Sequence, residues 1–146
     1  MIELENEWNT EKGSAGGCTN YDSFVKNPQY KLSVVAKGSP TVEITMLLAL
    51  KQKPSGEDKK KHLIGLRAFD NAGQAITDRN NPGTLNFKTQ IINKETIKYD
   101  GKFATTKVPL TLVLHQFYPE IDDQFTFTIW YKLKQGEVKL EPFEAK

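Results

Sequence analysis

Apolar residues alternate with polar ones in short runs along most of this chain, and a helical period of three to four is hard to find anywhere. Residues 30–35 alternate, and residues 42–52 (VEITMLLALKQ) begin the same way before becoming a continuous apolar run. The pattern predicts a half-buried strand followed by a largely buried one. Between them, Lys37-Gly38-Ser39-Pro40 supplies a flexible backbone and a residue that cannot donate to a ladder, so the two strands are expected to pair as a hairpin. Further strands are predicted over residues 62–70, 85–92 and 97–106, the last broken near Asp100-Gly101. Residues 110–116 and 124–132 (QFTFTIWYK) complete the set. They are joined by residues 117–123, with Pro119 and three acids, and read as the clearest hairpin. Residues 53–61 (KPSGEDKKK) are an exposed loop, and residues 71–84, rich in Asn, Gly, Asp and Pro, form the longest irregular connection.

About eight strands with no amphipathic helix between them predict an all-β antiparallel β-sandwich, with a closed barrel as the remaining option. The 146 residues make one domain over residues 1–146, with residues 1–7 and 142–146 expected to be loosely held. Twenty Lys and Arg against 18 Asp and Glu leave a net charge of +2, so any charge-driven partner must be met by a local patch. Nucleic acid is not an expected partner, because no aromatics interleave with the basic residues. The single cysteine, Cys18, excludes an internal disulfide and a Cys-rich zinc site, and fits a reducing, cytoplasmic location. The acidic opening, residues 1–9, has neither a basic start nor an apolar stretch, so no signal peptide is expected.

The opening also carries a specific motif set. Trp8 is followed by Gly13-Ser14-Ala15-Gly16-Gly17-Cys18, then Asn20, Ser23-Phe24 and Asn27-Pro28-Gln29-Tyr30. This order strongly resembles the start of the C2-like β-sandwich of calpains, the domain III family of the calpain large subunit. Residues 46–53, the lysine-rich loop, Ile64-Gly65-Leu66, Tyr118-Pro119 and residues 125–131 are similar to the same domain. The resemblance spans residues 8–141 and implies a non-catalytic regulatory or scaffolding domain of a calpain-like cysteine protease, docked on the protease core or on a tandem sandwich. On residue chemistry alone, the signature of Trp8, Gly16, Gly17, Cys18, Asn27, Pro28 and Tyr30 reads as architectural. Adjacent glycines permit unusual backbone, Asn27 before Pro28 is biased to an extended form, and Trp8 is a packing anchor. Where calcium-activated calpains resemble one another in an acidic loop after the first strand, residues 36–40 here contain no acid, as in non-classical calpains. Calcium wants six to eight oxygen ligands, so no cofactor or metal is expected.

Cysteine-protease chemistry needs a thiolate, a histidine base and an orienting group in one cleft. The candidates, Cys18, His62 and His115, show no spacing that unites them, so no catalytic residue is assigned. His62 reads as a solvent-facing strand start and His115 as a satisfied sheet histidine. Lys51, Lys53, Lys59, Lys60 and Lys61 cluster at one loop, only partly offset by Glu57 and Asp58. Solvated surface is the plain reading, and a docking patch for an acidic protein face or for anionic phospholipid is the functional one. Glu120, Asp122 and Asp123 read as a solubilising turn. A carbohydrate or peptide platform built on Trp8, Trp130 or the tyrosines ranks last, because Trp130 is expected to pack in or against the sheet.

Overall fold

The computed structural model describes residues 1–36, 38–52, 56, 61–91, 95–105, 108–133 and 135–143. They form two antiparallel sheets and one short 3-10 turn, Asp22–Lys26. The strands are β1 (Ile2–Trp8), β2 (Gln29–Ala36), β3 (Thr41–Leu50), β4 (Ile64–Asp70), β5 (Thr84–Lys88), β6 (Thr96–Ala104), β7 (Leu110–Gln116), β8 (Asp123–Lys132) and β9 (Gly136–Pro142). One sheet has the order β1-β8-β3-β6, the other β5-β4-β7-β2-β9. The all-β sandwich expected from the alternation is therefore the fold observed. Among the described residues no helix is long and apolar enough to cross a membrane.

The core follows from strand periodicity. Val42, Ile44, Met46 and Leu48 share one face of β3, and Phe125, Phe127 and Ile129 share one face of β8. Both sets are buried in one cluster with Leu32, Leu66, Leu112 and Leu114 of the opposite sheet. β7 is buried on both faces along its whole length. Its second face is covered by a smaller cluster, in which Phe24, Phe69 and Ile76 close over Val113. A strand buried on both sides can carry apolar residues at successive positions, as Leu112, Val113 and Leu114 do, and its polar residues Thr111, His115 and Gln116 are buried as well.

Both expected hairpins are wrong. β2 and β3 lie in different sheets, and so do β7 and β8. The connecting turns carry the chain from one layer to the other, and β3 finds its partners in β6 and β8. Turn residues permit a reversal but do not decide whether the returning strand pairs with its neighbour or packs across the core. Residues 1–7 are not loose: β1 pairs with β8 from Ile2 opposite Ile129 to Trp8 opposite Asp123. Pro142 is likewise held, opposite Tyr30 at the end of the β2–β9 ladder, while residues 144–146 lie outside the described residues. The strand around Asp100-Gly101 is unbroken, because Gly101 is where β6 must leave room: a Cβ there would lie 2.8–2.9 Å from the Tyr99 and Phe103 rings.

Candidate functional site

Of the signature residues, Gly16, Gly17, Cys18, Asn27 and Pro28 hold the segment that carries Phe24 over the outer face of β7, while Trp8 and Tyr30 belong to the core between the sheets. Gly16 is pressed against the 3-10 turn, where an added Cβ would stand 2.0 Å from the Ser23 carbonyl oxygen, so no larger residue fits without moving the segment. Gly17 has φ +76°, a conformation favoured by glycine, and lies against Pro119. The buried Asn27 side chain ties the segment together. Its Oδ1 accepts from the Gly16 N–H at 3.0 Å, and its Nδ2 donates to the Gly17 and Phe24 carbonyls at 2.8 and 2.9 Å. The Pro28 carbonyl accepts the Leu114 N–H of β7 at 3.1 Å. Cys18 is buried, and its N–H donates to the Phe117 carbonyl at 3.1 Å. Tyr30 is also buried, with its hydroxyl accepting from Asn6 Nδ2 at 2.6 Å. Asn27→Ala is expected to strand one buried donor and two carbonyls at a cost of about 2–3 kcal/mol. Thermal melts should fall by several degrees. An unchanged melting temperature would show that the network is dispensable.

Trp8 anchors the same region from the other sheet. Its ring centroid is 4.4 Å from that of Phe125, and its indole N–H donates to the Leu114 carbonyl at 2.9 Å. One side chain thus joins β1 to β7 across the sandwich.

In the β7–β8 connection the side chains of Asp122 and Asp123 are clamps and not a solubilising tip, while the exposed Glu120 is held through its backbone alone. Glu120, at φ +62°, donates its N–H to the Ala15 carbonyl, and Asp122 Oδ1 accepts from both the N–H and the hydroxyl of Thr10 at 2.7 Å. Those Thr10 hydrogen bonds hold the Asp122 carboxyl below its ordinary pKa. Asp123, half-buried, accepts from Gln116 Nε2 at 2.7 Å and pairs with His62 Nδ1. Burial raises its pKa, with His62 and Gln116 pulling the other way. His62 is accordingly a partner of Asp123 and not a solvent-facing strand start.

His115 is fully buried, with Nδ1 within 3.2 Å of the Gln116 carbonyl and Nε2 without a hydrogen-bond partner. It is a half-satisfied histidine, with the Phe24 ring edge-on at 5.5 Å. Desolvation lowers its pKa to about 4, the Gln116 carbonyl opposing and Arg67 adding to the effect, so the ring is neutral at physiological pH. The three residues with protease-type side chains are therefore committed separately: Cys18 to the signature loop, His62 to Asp123, and His115 to the space under Phe24.

Of the basic cluster, Lys51 and Lys61 are described, while Lys53, Lys59 and Lys60 lie outside the described residues. Lys51 Nζ sits 2.9 Å from Glu5 Oε2 of β1, and its N–H donates to the Gln124 carbonyl, which fixes the start of the loop at the end of β3. Lys61 is exposed. Among the described residues no group of three His, Cys, Asp or Glu is placed to hold a metal ion.

Two packed antiparallel sheets and a loop locked by Asn27 define a sandwich module whose distinctive residues serve its own architecture. The family model for the calpain large subunit, domain III, matches residues 4–111. Calpain-9 of Homo sapiens is 32% identical over 130 residues, an alignment covering 88% of this chain and 16% of that protein. The chain belongs to the calpain large-subunit domain III family, and it is a non-catalytic calpain domain. It spans about a sixth of the length of that relative.

Proposed function

We propose that this domain is a regulatory and scaffolding module of a calpain-like cysteine protease in the cytoplasm, docking through its basic loop on the protease core or on a neighbouring sandwich domain. The observation that carries the reading is the domain III match over residues 4–111 in a chain that corresponds to only 16% of its relative. A module without chemistry of its own contributes to a protease by contact. Support for the basic loop as the contact comes from its charge, five lysines against Glu57 and Asp58 over residues 51–61. Calcium has no part in this contact, since residues 36–40 offer no carboxylate.

The test replaces Lys53, Lys59, Lys60 and Lys61 by glutamate. Wild type is expected to be retained by the parent's protease core at low salt and released at high salt, because exposed charges are screened over about 8 Å at physiological ionic strength. The variant should lose retention while keeping its fold, as surface charge changes of this kind cost within about 0.5 kcal/mol each. Retention of wild type by phosphatidylserine vesicles instead of the core would replace this reading by membrane targeting. Retention by neither would leave the lysines as solvated surface.

A further inference from the structure

Trp130 faces away from the core, out of phase with Phe125, Phe127 and Ile129, and is 41% exposed where its hydrophobic run predicted packing in or against the sheet. Glu43 and Asp100 balance Lys102 and Lys132 around it, so that face selects no partner by charge. The opposite sheet is different. Along its adjoining strands β5, β4, β7 and β2, the residues Lys88, Arg67 and Lys31 meet a single acid, Asp70 at the end of β4. Arg67 stands opposite Lys88 on the edge strand β5 and opposite Val113 on β7.

The chain has two arginines, and the fold treats them differently. Arg79 Nε lies 2.7 Å from Asp22 Oδ1, and its Nη1 donates to the Thr19 carbonyl at 3.1 Å. Arg67 has neither an ion pair nor a hydrogen bond among the described residues; its Nε–H is buried without a partner, whereas its Nη groups reach solvent. Burial pushes the pKa of this guanidinium down, with the Cys18 thiol acting the other way and no carboxylate compensating. A half-buried charge without a counter-ion is costly, and like charges directly opposite across a ladder are destabilising. Lys88 alone would read as the guard of an open sheet edge. That role does not account for a guanidinium sunk beside it with its charge uncompensated. Two unfavourable features at one point are what an anion bound at that point relieves.

We propose that Arg67 and Lys88 form a binding site for the phosphate of a phosphorylated side chain in an extended segment of a partner protein. The guanidinium offers its open Nη groups as a fork and the ammonium adds a second point charge, a pair suited to phosphate oxygens. Charge selects phosphate over a carboxylate. A phosphoryl group carries about −1.5 to −2 at pH 7, which matches two cations, while a carboxylate would leave one of them unmatched. β5 is the outermost strand of its sheet, so an extended peptide laid along its open edge brings a phosphate to Lys88. A membrane surface fits less well, since lipid-binding clusters gather about four to eight basic residues and this point has only a pair. The site draws on none of the lysines of residues 51–61 and stands independently of the docking proposed for them.

The whole chain would be probed with an array of short peptides, each carrying one phosphoserine, phosphothreonine or phosphotyrosine, with unphosphorylated and Glu-substituted versions as controls. The best phosphopeptide should bind at least tenfold more tightly than either control and shift the backbone amide signals of Arg67, Lys88 and Cys18. Its binding should weaken as salt rises. Arg67→Met and Lys88→Glu are each expected to weaken binding at least tenfold, and their melting temperatures separate a binding role from a structural one. Both should melt at or above wild type, because methionine removes the uncompensated charge while keeping an apolar stem, and glutamate supplies the missing counter-charge. Changing Lys51 and Lys61 to glutamate should leave binding within twofold, which keeps this result distinguishable from the basic-loop reading. Four outcomes would overturn the proposal: no phosphopeptide bound above its controls, binding indifferent to Arg67→Met, both variants melting several degrees below wild type, or vesicles containing a phosphatidylinositol phosphate bound through Arg67 in place of peptide.

Discussion

Trp8→Ala is expected to remove about 4 kcal/mol of folding free energy, a large share of the about 5–15 kcal/mol that holds a domain of this kind. The indole is among the largest side chains buried in the core, it packs against Phe125, and its N–H satisfies the Leu114 carbonyl of β7. Truncation opens a cavity and at the same time leaves that carbonyl without its donor. Trp8→Phe separates the two contributions. It keeps an aromatic ring against Phe125 and loses only the N–H, for an expected cost of about 1–2 kcal/mol plus a smaller packing loss. Urea denaturation followed by circular dichroism would measure both variants without relying on the fluorophore being removed. A loss below about 1 kcal/mol for Trp8→Ala would mean that β1 is peripheral to the cooperative unit.

The second large effect is on acid stability, and it comes from His115. The folded ring has its pKa lowered to about 4, while an unfolded histidine titrates near 6.5. Below about pH 6.5 the unfolded chain therefore binds the proton more readily than the folded one, and stability falls as pH drops through the window down to about pH 4. Over that interval the loss amounts to about 3 kcal/mol. Asp123 works in the opposite direction, because its raised folded pKa lets the native state take up a proton earlier than the unfolded chain. The comparison of wild type with His115→Asn isolates the histidine, since Asp123 is common to both. The stability difference between the two should shrink by about 3 kcal/mol between pH 7 and pH 4 in urea titrations. Parallel pH profiles would show that His115 is protonated in the native state.

The alternation in residues 42–48 and 125–131 made β3 and β8 legible, because each carries a buried face of one period on a half-exposed sheet. β1 and β9 were missed although both alternate. Their outward positions, Glu3 and Glu5 in β1 and Glu137, Lys139 and Glu141 in β9, are charged because these strands form sheet edges, and charge there protects an open edge. The pairings were not legible. A Gly-Ser-Pro turn after β2 and a Pro-containing turn after β7 are equally compatible with a hairpin and with a passage between layers, and only the partner strands decide. The signature residues could be read as architectural, but the groups they hold could not. Asn27 reaches back to Gly16 and Gly17, and Cys18 reaches forward to Phe117, through contacts that no local pattern announces. Trp130 did leave a signal, since it breaks phase with Phe125, Phe127 and Ile129; its place in an apolar run hid it.

The strand order also sets the schedule by which the chain can fold. Among the described residues, β4 and β5 are the only two strands that are neighbours both in sequence and in a sheet. Every other ladder joins distant segments, most of all β1, whose Ile2 meets Ile129 of β8. Closing such long loops costs entropy before the contacts reward it, and domains of this topology fold in milliseconds to seconds. During synthesis the first strand must therefore wait for almost the whole domain to emerge, its apolar residues Ile2, Leu4 and Trp8 uncovered until β8 follows.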